Sequence, residues 1–235
     1  MPDVAENKDL LVALVGKMHT GKSTMADALV RECGFTRLAF ADPLKEVSAI
    51  MLTSFLSYMN DQTLRRPDWW EVTPQSINAM KGDPAIRKLL QLVGTELGRD
   101  WYGPDTIWID LFEKRLRQLQ GESDKVRIVI DDCRFPNEAE ALKAMGFTIF
   151  RLHRNEDERL ESIQAALLKQ KPELLEDRQA LNDAMEAMAN HPSEREVDNI
   201  NADFGIRGLN VEHLQKFIAP NLVYGLLEAK RPMNV

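Results

Sequence analysis

Residues 10–29 read LLVALVGKMHTGKSTMADAL. An apolar run from Leu10 to Val15 ends at Gly16, a polar loop follows to Lys22 and Ser23, and Met25, Ala26 and Leu29 then recur at helical spacing. Gly16, Gly21, Lys22 and Ser23 satisfy G-x-x-x-x-G-K-[ST]. The residue types follow from what a phosphate chain needs. Glycines let the backbone curl until successive N–H groups face the anion, and the lysine brings a mobile cation. The serine hydroxyl can ligate Mg²⁺, and the helix that opens there presents its positive end. The bland alternative is a strand-to-helix turn that binds nothing. A buried strand before and a helix after are the context the phosphate-binding reading requires, and both are expected here.

The chain has 235 residues, which suits one α/β domain with insertions. Its 44% hydrophobic and 29% charged content is that of an ordinary soluble globular protein. No apolar run approaches the roughly 20 residues of a membrane span, and the N-terminal MPDVAENKDL is acidic and polar, unlike a secretory signal. A cytoplasmic protein with no membrane partner is expected. The net charge of −7 argues against gripping nucleic acid, while local arginines suffice for small anions. Cys33 and Cys133 read as reduced, buried thiols. His19, His153, His191 and His213 show no ligand spacing, so no structural zinc is expected.

Along the chain, Gly34 closes the first helix, a second strand is expected over 35–40, and Asp42-Pro43 starts a helix to about Tyr58. Periodicity is lost over 60–82, which reads as an irregular insertion. Asp83-Pro84 starts another helix, with Ile86, Leu89, Leu90, Val93 and Leu97 on one face, and a further helix follows Pro104. Val126 to Ile130 is a buried strand ending in Asp131-Asp132; a helix over 136–145 and a fourth strand over 147–152 come next. Asn155 and Glu158 open a helical stretch from about Glu156 to Asn190, divided at Pro172. A fifth strand falls near Phe204 to Ile206, and Asn210 caps a last helix through Val211, Leu214, Phe217 and Ile218. Strands alternating with helices give a parallel sheet with right-handed crossovers, its ligand site at the C-terminal strand ends.

Other positions carry chemistry. One of Asp131 and Asp132 is expected to meet Mg²⁺, a capping or salt-bridged aspartate being the alternative. Arg134 is placed to reach an anion over the sheet edge or to be a surface arginine. Arg87, Gln91 and Glu96 can share the polar side of a helix, as they would on any amphipathic helix. Arg151, His153 and Arg154 follow the fourth strand, where guanidinium forks can close over phosphates or simply carry surface charge.

Taken together, GKST, FADPLKE at 40–46, LLQLVGTELGR at 89–99, IDDCRFPNEAEAL at 130–142 and HPSE at 191–194 resemble the bacteriophage-type deoxynucleoside monophosphate kinases, a branch of the adenylate-kinase-like P-loop kinases. The matching segments span about residues 10–218. The resemblance implies a five-stranded parallel sheet of order 2-3-1-4-5 in a single kinase domain. Its core would lie at about 10–59, 123–154 and 201–228, an NMP-binding insertion at about 60–122 and a lid at about 155–200. It also implies roles. Gly16, Lys17, Met18, His19, Thr20, Gly21, Lys22, Ser23 and Thr24 would hold the ATP phosphates. Asp42, Arg87, Gln91, Glu96, Arg99 and Arg134 would hold the monophosphate, and Arg151 and Arg154 would be lid arginines. Lys22, Arg134, Arg151 and Arg154 are the catalytic candidates, and Ser23, Asp131 and Asp132 the Mg²⁺ candidates. Ser23 stands where many members have aspartate, so Ser23 and Thr24 are both open as the metal's hydroxyl.

The expected reaction is phosphoryl transfer from ATP, with Mg²⁺, to a (deoxy)nucleoside monophosphate. The expected partners are small nucleotides, and a homodimer is compatible with the sequence. Kinases of other phosphorylated metabolites, such as dephospho-coenzyme A or phosphomevalonate, and a non-catalytic nucleotide-binding module are the rival readings.

Overall fold

A computed structural model describes residues 9–59, 72–80, 83–101, 106–189, 192–207 and 219–229. Its sheet has five strands, β1 (Leu10–Val15), β2 (Thr36–Leu38), β3 (Arg127–Ile130), β4 (Thr148–His153) and β5 (Phe204–Arg207), in the order β2-β3-β1-β4-β5. Every pairing is parallel: Leu10 lies opposite Arg127, Val12 opposite Thr148, Thr36 opposite Ile128, and Phe150 opposite Phe204. The 2-3-1-4-5 order expected from the resemblance is the order found. β1 sits at the centre with all six residues buried, which is why its sequence is a continuous apolar run.

Successive side chains of a strand face opposite sides. On one side Leu10, Val12 and Leu14 join Val129, Phe150 and Leu152 beneath α1 (Lys22–Cys33), whose Met25, Ala26, Ala28 and Leu29 supply the facing stripe. The last described helix completes this cluster through Leu222, Val223 and Leu226; in chain order it is α10 (Ala219–Ala229). The Asn210 cap expected for a last helix lies outside the described residues. On the other side Leu11, Ala13, Val15, Ile128, Ile130 and Ile149 are also buried, and α6 (Pro136–Ala144) packs along β4. Gly34, at φ 67, closes α1 as its sequence position implied.

The chain divides into two compact units, one of residues 1–38 and 119–235 that carries the sheet, the other of residues 39–118. The second contains α2 (Ala41–Met59), α3 (Pro74–Ala79), α4 (Pro84–Gln91), a π-helical continuation (Leu92–Trp101) and most of α5 (Ile107–Glu122). α3 stands inside the stretch read as irregular. Thr73 and Ser76 form a reciprocal capping box and Pro74 occupies the first turn, so six residues suffice for a helix. Ile77 then anchors it against Ala49 and Ile86. Phe40 and Phe112 meet at 4.8 Å between ring centroids, and Trp108 Nε1 donates to Gly94 O at 3.0 Å.

The sheet unit also carries α7 (Glu156–Gln170), a 3₁₀ turn (Pro172–Leu175), α8 (Arg178–Ala189) and the short α9 (Pro192–Glu196). Asn155 caps α7, accepting from Asp157 N at 2.9 Å. Pro172 does divide the helical stretch, because it cannot donate to the helix ladder. Ile163 and Leu167 of α7 and Leu181 of α8 form the buried centre of this pair. β2 is shorter than the 35–40 expected: Phe35 and Phe40 are buried outside it as loop residues. The two thiols are unbridged, Cys133 buried and Cys33 half-buried.

Candidate phosphate-binding site

The loop between β1 and α1 takes its shape from three residues with positive φ: Gly16 (143°), His19 (60°) and Gly21 (95°). At Gly16 glycine is also a spatial requirement, since a Cβ there would stand 2.6 Å from the carbonyl oxygen of Leu152 on β4. Thr20 Oγ1 donates to Lys17 O at 2.8 Å and tightens the turn. Gly21 occupies the N-cap of α1, and no side chain caps that helix end. The amide end of α1 is therefore left for an anion.

Lys22 folds back over the loop. Its Nζ donates to Gly16 O at 2.6 Å and Lys17 O at 2.7 Å. Burial, and after it the charge of Arg134, lowers its pKa to about 8. Arg134 is exposed just past β3, and its backbone N–H, like that of Phe135, donates to Glu138 Oε2, which fixes the start of α6.

Beside the lysine, Ser23 Oγ donates to Asp131 Oδ2 at 2.9 Å. Asp131 is buried and Asp132 half-buried. Arg37, on β2, grips both oxygens of Asp131, Nε reaching Oδ1 at 2.8 Å and Nη2 reaching Oδ2, and extends to Asp27 at 2.9 Å. The register that sets Arg37 opposite Val129 makes this reach short. Arg37 was missed because a lone arginine on a three-residue edge strand looks like any surface charge.

Arg154 Nη1 donates to His19 O at 3.2 Å and to Ser162 Oγ at 2.9 Å, so this predicted residue reaches the loop backbone. Arg151 does not: its guanidinium donates to the carbonyls of Val197, at 2.9 Å, and Ile200. Glu194, the last residue of the HPSE segment, accepts from Met18 N at 2.7 Å, and Lys17 pairs with Asp198 at 3.1 Å. His19 is held below the usual imidazole range by burial and by the nearby charges of Arg154, Arg159 and Lys22. Among the described residues no group of three or more His, Cys, Asp and Glu could hold a metal ion.

Apart from Arg134, the acceptor-side candidates lie in the second unit. Arg87 and Gln91 are exposed one turn apart on α4, and Glu96 is exposed about one π-turn further on. Asp42 accepts from Ala39 N at 2.9 Å and pairs with Lys45 at 3.0 Å. The side chain of Arg99 lies outside the described residues.

No family model matches the chain. A protein of Acanthamoeba polyphaga mimivirus, provisionally named a deoxynucleotide monophosphate kinase, is 31% identical over 155 residues, covering 62% of this chain and 74% of that protein. The chain belongs to the deoxynucleoside monophosphate kinase family. The deoxynucleoside-5′-monophosphate kinase of Escherichia phage T5 is 27% identical over 184 residues, covering 57% of this chain and 72% of its own. Among solved structures, the dephospho-CoA kinase of Campylobacter jejuni superposes with a TM-score of 0.50 over 93% of this chain and 97% of its own, at 14% identity. That likeness concerns the P-loop kinase fold alone. Membership of the kinase family makes the chain a phosphotransferase, and no described helix is long and apolar enough to cross a membrane.

Proposed function

We propose that this chain transfers the γ-phosphoryl group of ATP to the 5′-phosphate of a deoxynucleoside monophosphate. The observation that carries the reading is the Ser23–Asp131 pair, 2.9 Å apart at the uncapped end of α1 and next to Lys22. An oxygen of the acceptor phosphate attacks the γ-phosphorus, the bond to the β–γ bridging oxygen breaks, and ADP leaves with that electron pair. The acceptor is already an anion, so catalysis reduces to alignment and neutralisation of charge.

Lys22 exchanges its two loop carbonyls for phosphate oxygens and follows the transferring group. The N–H groups from His19 to Thr24 cradle the donor. Arg154 stands over the loop on the donor side, and Arg134 on the acceptor side, with Arg87, Gln91, Glu96 and Arg99 as acceptor contacts. Arg151, a lid arginine on the resemblance, has its fork on two backbone carbonyls, which supports a role in positioning the 197–200 turn; release of those carbonyls toward phosphate is the alternative. Ser23 and Asp131 are the oxygen donors that fit Mg²⁺, a cation that takes few protein ligands alongside phosphates; Thr24 and Asp132 are the alternatives at the next positions. When bound, the metal neutralises phosphate charge.

The setting implied is cytoplasmic, with small nucleotides as partners. The test is ADP release measured with each common nucleoside and deoxynucleoside monophosphate. Turnover with dGMP or dTMP supports the proposal; turnover only with dephospho-coenzyme A or phosphomevalonate overturns it.

A further inference from the structure

The phosphate-binding loop is gripped from a part of the chain that the transfer reaction does not use. Glu194 is 5% exposed, and its Oε2 accepts the Met18 N–H at 2.7 Å across 176 positions of sequence. The side chain of the same Met18 packs into the α7–α8 cluster around Ile163, Leu167 and Leu181. One residue earlier, Lys17 is tied to Asp198 at 3.1 Å. The segment that delivers Glu194 and Asp198 is itself fixed, since Arg151 holds the carbonyls of Val197 and Ile200, and both those side chains are buried. Arg159, 4% exposed, is held by Glu156 through Nε and Nη2; its Nη1 is buried with no hydrogen-bond partner among the described residues, and the charge of Glu194 acts on it.

The Glu194 carboxylate stands among cations of the loop and its surroundings and favours the charged forms of Lys22 and Arg159. It has no proton to move, since the acceptor oxygen is already ionised. Two uses are left, a counter-charge to these cations and a geometric tie on the loop, and the short Met18 N–H contact favours the second.

We infer that Glu194 is a positioning residue of the phosphate-binding loop, fixing the loop's entry by accepting the Met18 N–H so that the amides from His19 onward are set for the donor phosphates. The inference rests on the kinase reading and adds to it a residue that touches no substrate. It makes the reach of the Glu194 side chain decisive, and its charge secondary. If Glu194 served only as counter-charge to Arg159, the priority would be reversed.

Two near-isosteric variants separate these roles. Glu194→Gln keeps the length and an acceptor oxygen and loses the charge. Glu194→Asp keeps the charge and withdraws the acceptor by one methylene. ATP affinity is measured calorimetrically without acceptor, together with KM for the deoxynucleoside monophosphate and the melting temperature. Glu194→Asp should weaken ATP binding about tenfold, the scale of one hydrogen bond to a charged group. Glu194→Gln should stay within about threefold of wild type, with acceptor KM little changed in both. Equal losses, no loss, or a larger loss in Glu194→Gln each overturn the inference. Wild-type protein that binds no ATP overturns the kinase reading, and this inference with it.

Discussion

The loop at 16–24 and the helix at 84–101 are built on opposite plans. Around the loop, contacts come from far along the sequence: Asp131 to Ser23, Leu152 against Gly16, Glu194 to Met18. On the helix, Arg87, Gln91 and Glu96 stand exposed within about two turns of each other. The first plan presets backbone amides and a helix dipole, whose geometry exists before any ligand arrives. On the proposed reading, the second presents side chains that would order only on binding and lose rotamer freedom in doing so. Single changes should therefore be severe in the first region and graded in the second.

The strongest challenge to this contrast is Lys22→Ala. It should lower kcat on the order of a thousandfold with the fold intact, because on the proposed mechanism the charge follows the group in flight. A mutant within about threefold of wild-type kcat would remove the lysine from the mechanism.

Arg134→Ala should raise KM for the deoxynucleoside monophosphate, or lower kcat, by about 10- to 100-fold, with ATP affinity within twofold. Arg134→Lys should restore only part, because a lysine lacks the planar fork. Loss of ATP affinity instead would move Arg134 to the donor side.

Asp131→Asn should raise the Mg²⁺ concentration for half-maximal activity by about tenfold, and Asp132→Asn far less, since only Asp131 meets Ser23. Equal Mg²⁺ titrations for the two mutants would refute this choice. Arg87→Ala, on the exposed helix, should change acceptor KM only about threefold, as one adaptable contact among several. A hundredfold effect there would erase the contrast between the regions.

The smallest effect is a matter of pH. Burial lowers the Lys22 pKa from 10.5 to about 8 in the ligand-free fold. Between those values the unfolded chain holds more protons than the folded one, so this residue's contribution makes the fold more stable as pH rises through about 8. ATP-induced stabilisation should shrink over the same window as the cation is lost. The comparison of wild type with Lys22→Met, by melting temperature with and without ATP, isolates the term.

Much of this could be read in the sequence where backbone conformation demanded particular residues. Gly16 is forced by its φ and by the Leu152 carbonyl, and Gly34 by the end of α1, so both were visible. The buried residues Leu10–Val15 and Ile128–Ile130 showed as apolar runs, and the strand order matched the expectation. What escaped was action at a distance by ordinary side chains. Arg37 and Arg159 are arginines in unremarked positions, and Glu194 lay in a segment noticed only through resemblance. The α3 helix was overlooked because six residues show little periodicity and the Thr73–Ser76 box uses serine where glutamate is the familiar signal. The Arg151 fork rests on two backbone carbonyls, an arrangement that no spacing rule distinguishes from a fork on phosphate.

The central place of β1 has a consequence for how the chain comes into being. The strand leaves the ribosome well before its two neighbours, which begin at Arg127 and Thr148, and before the helix that closes the cluster over it, which begins at Ala219. A nascent chain that stops short of β3 holds the whole G-x-x-x-x-G-K-S motif and has no sheet to carry it. Such distant parallel pairing is slow to form and leaves apolar strands uncovered meanwhile. Nucleotide-binding competence should thus emerge only after β3 and β4 have been made, and Leu10–Val15 is the segment with most to gain from a chaperone until then.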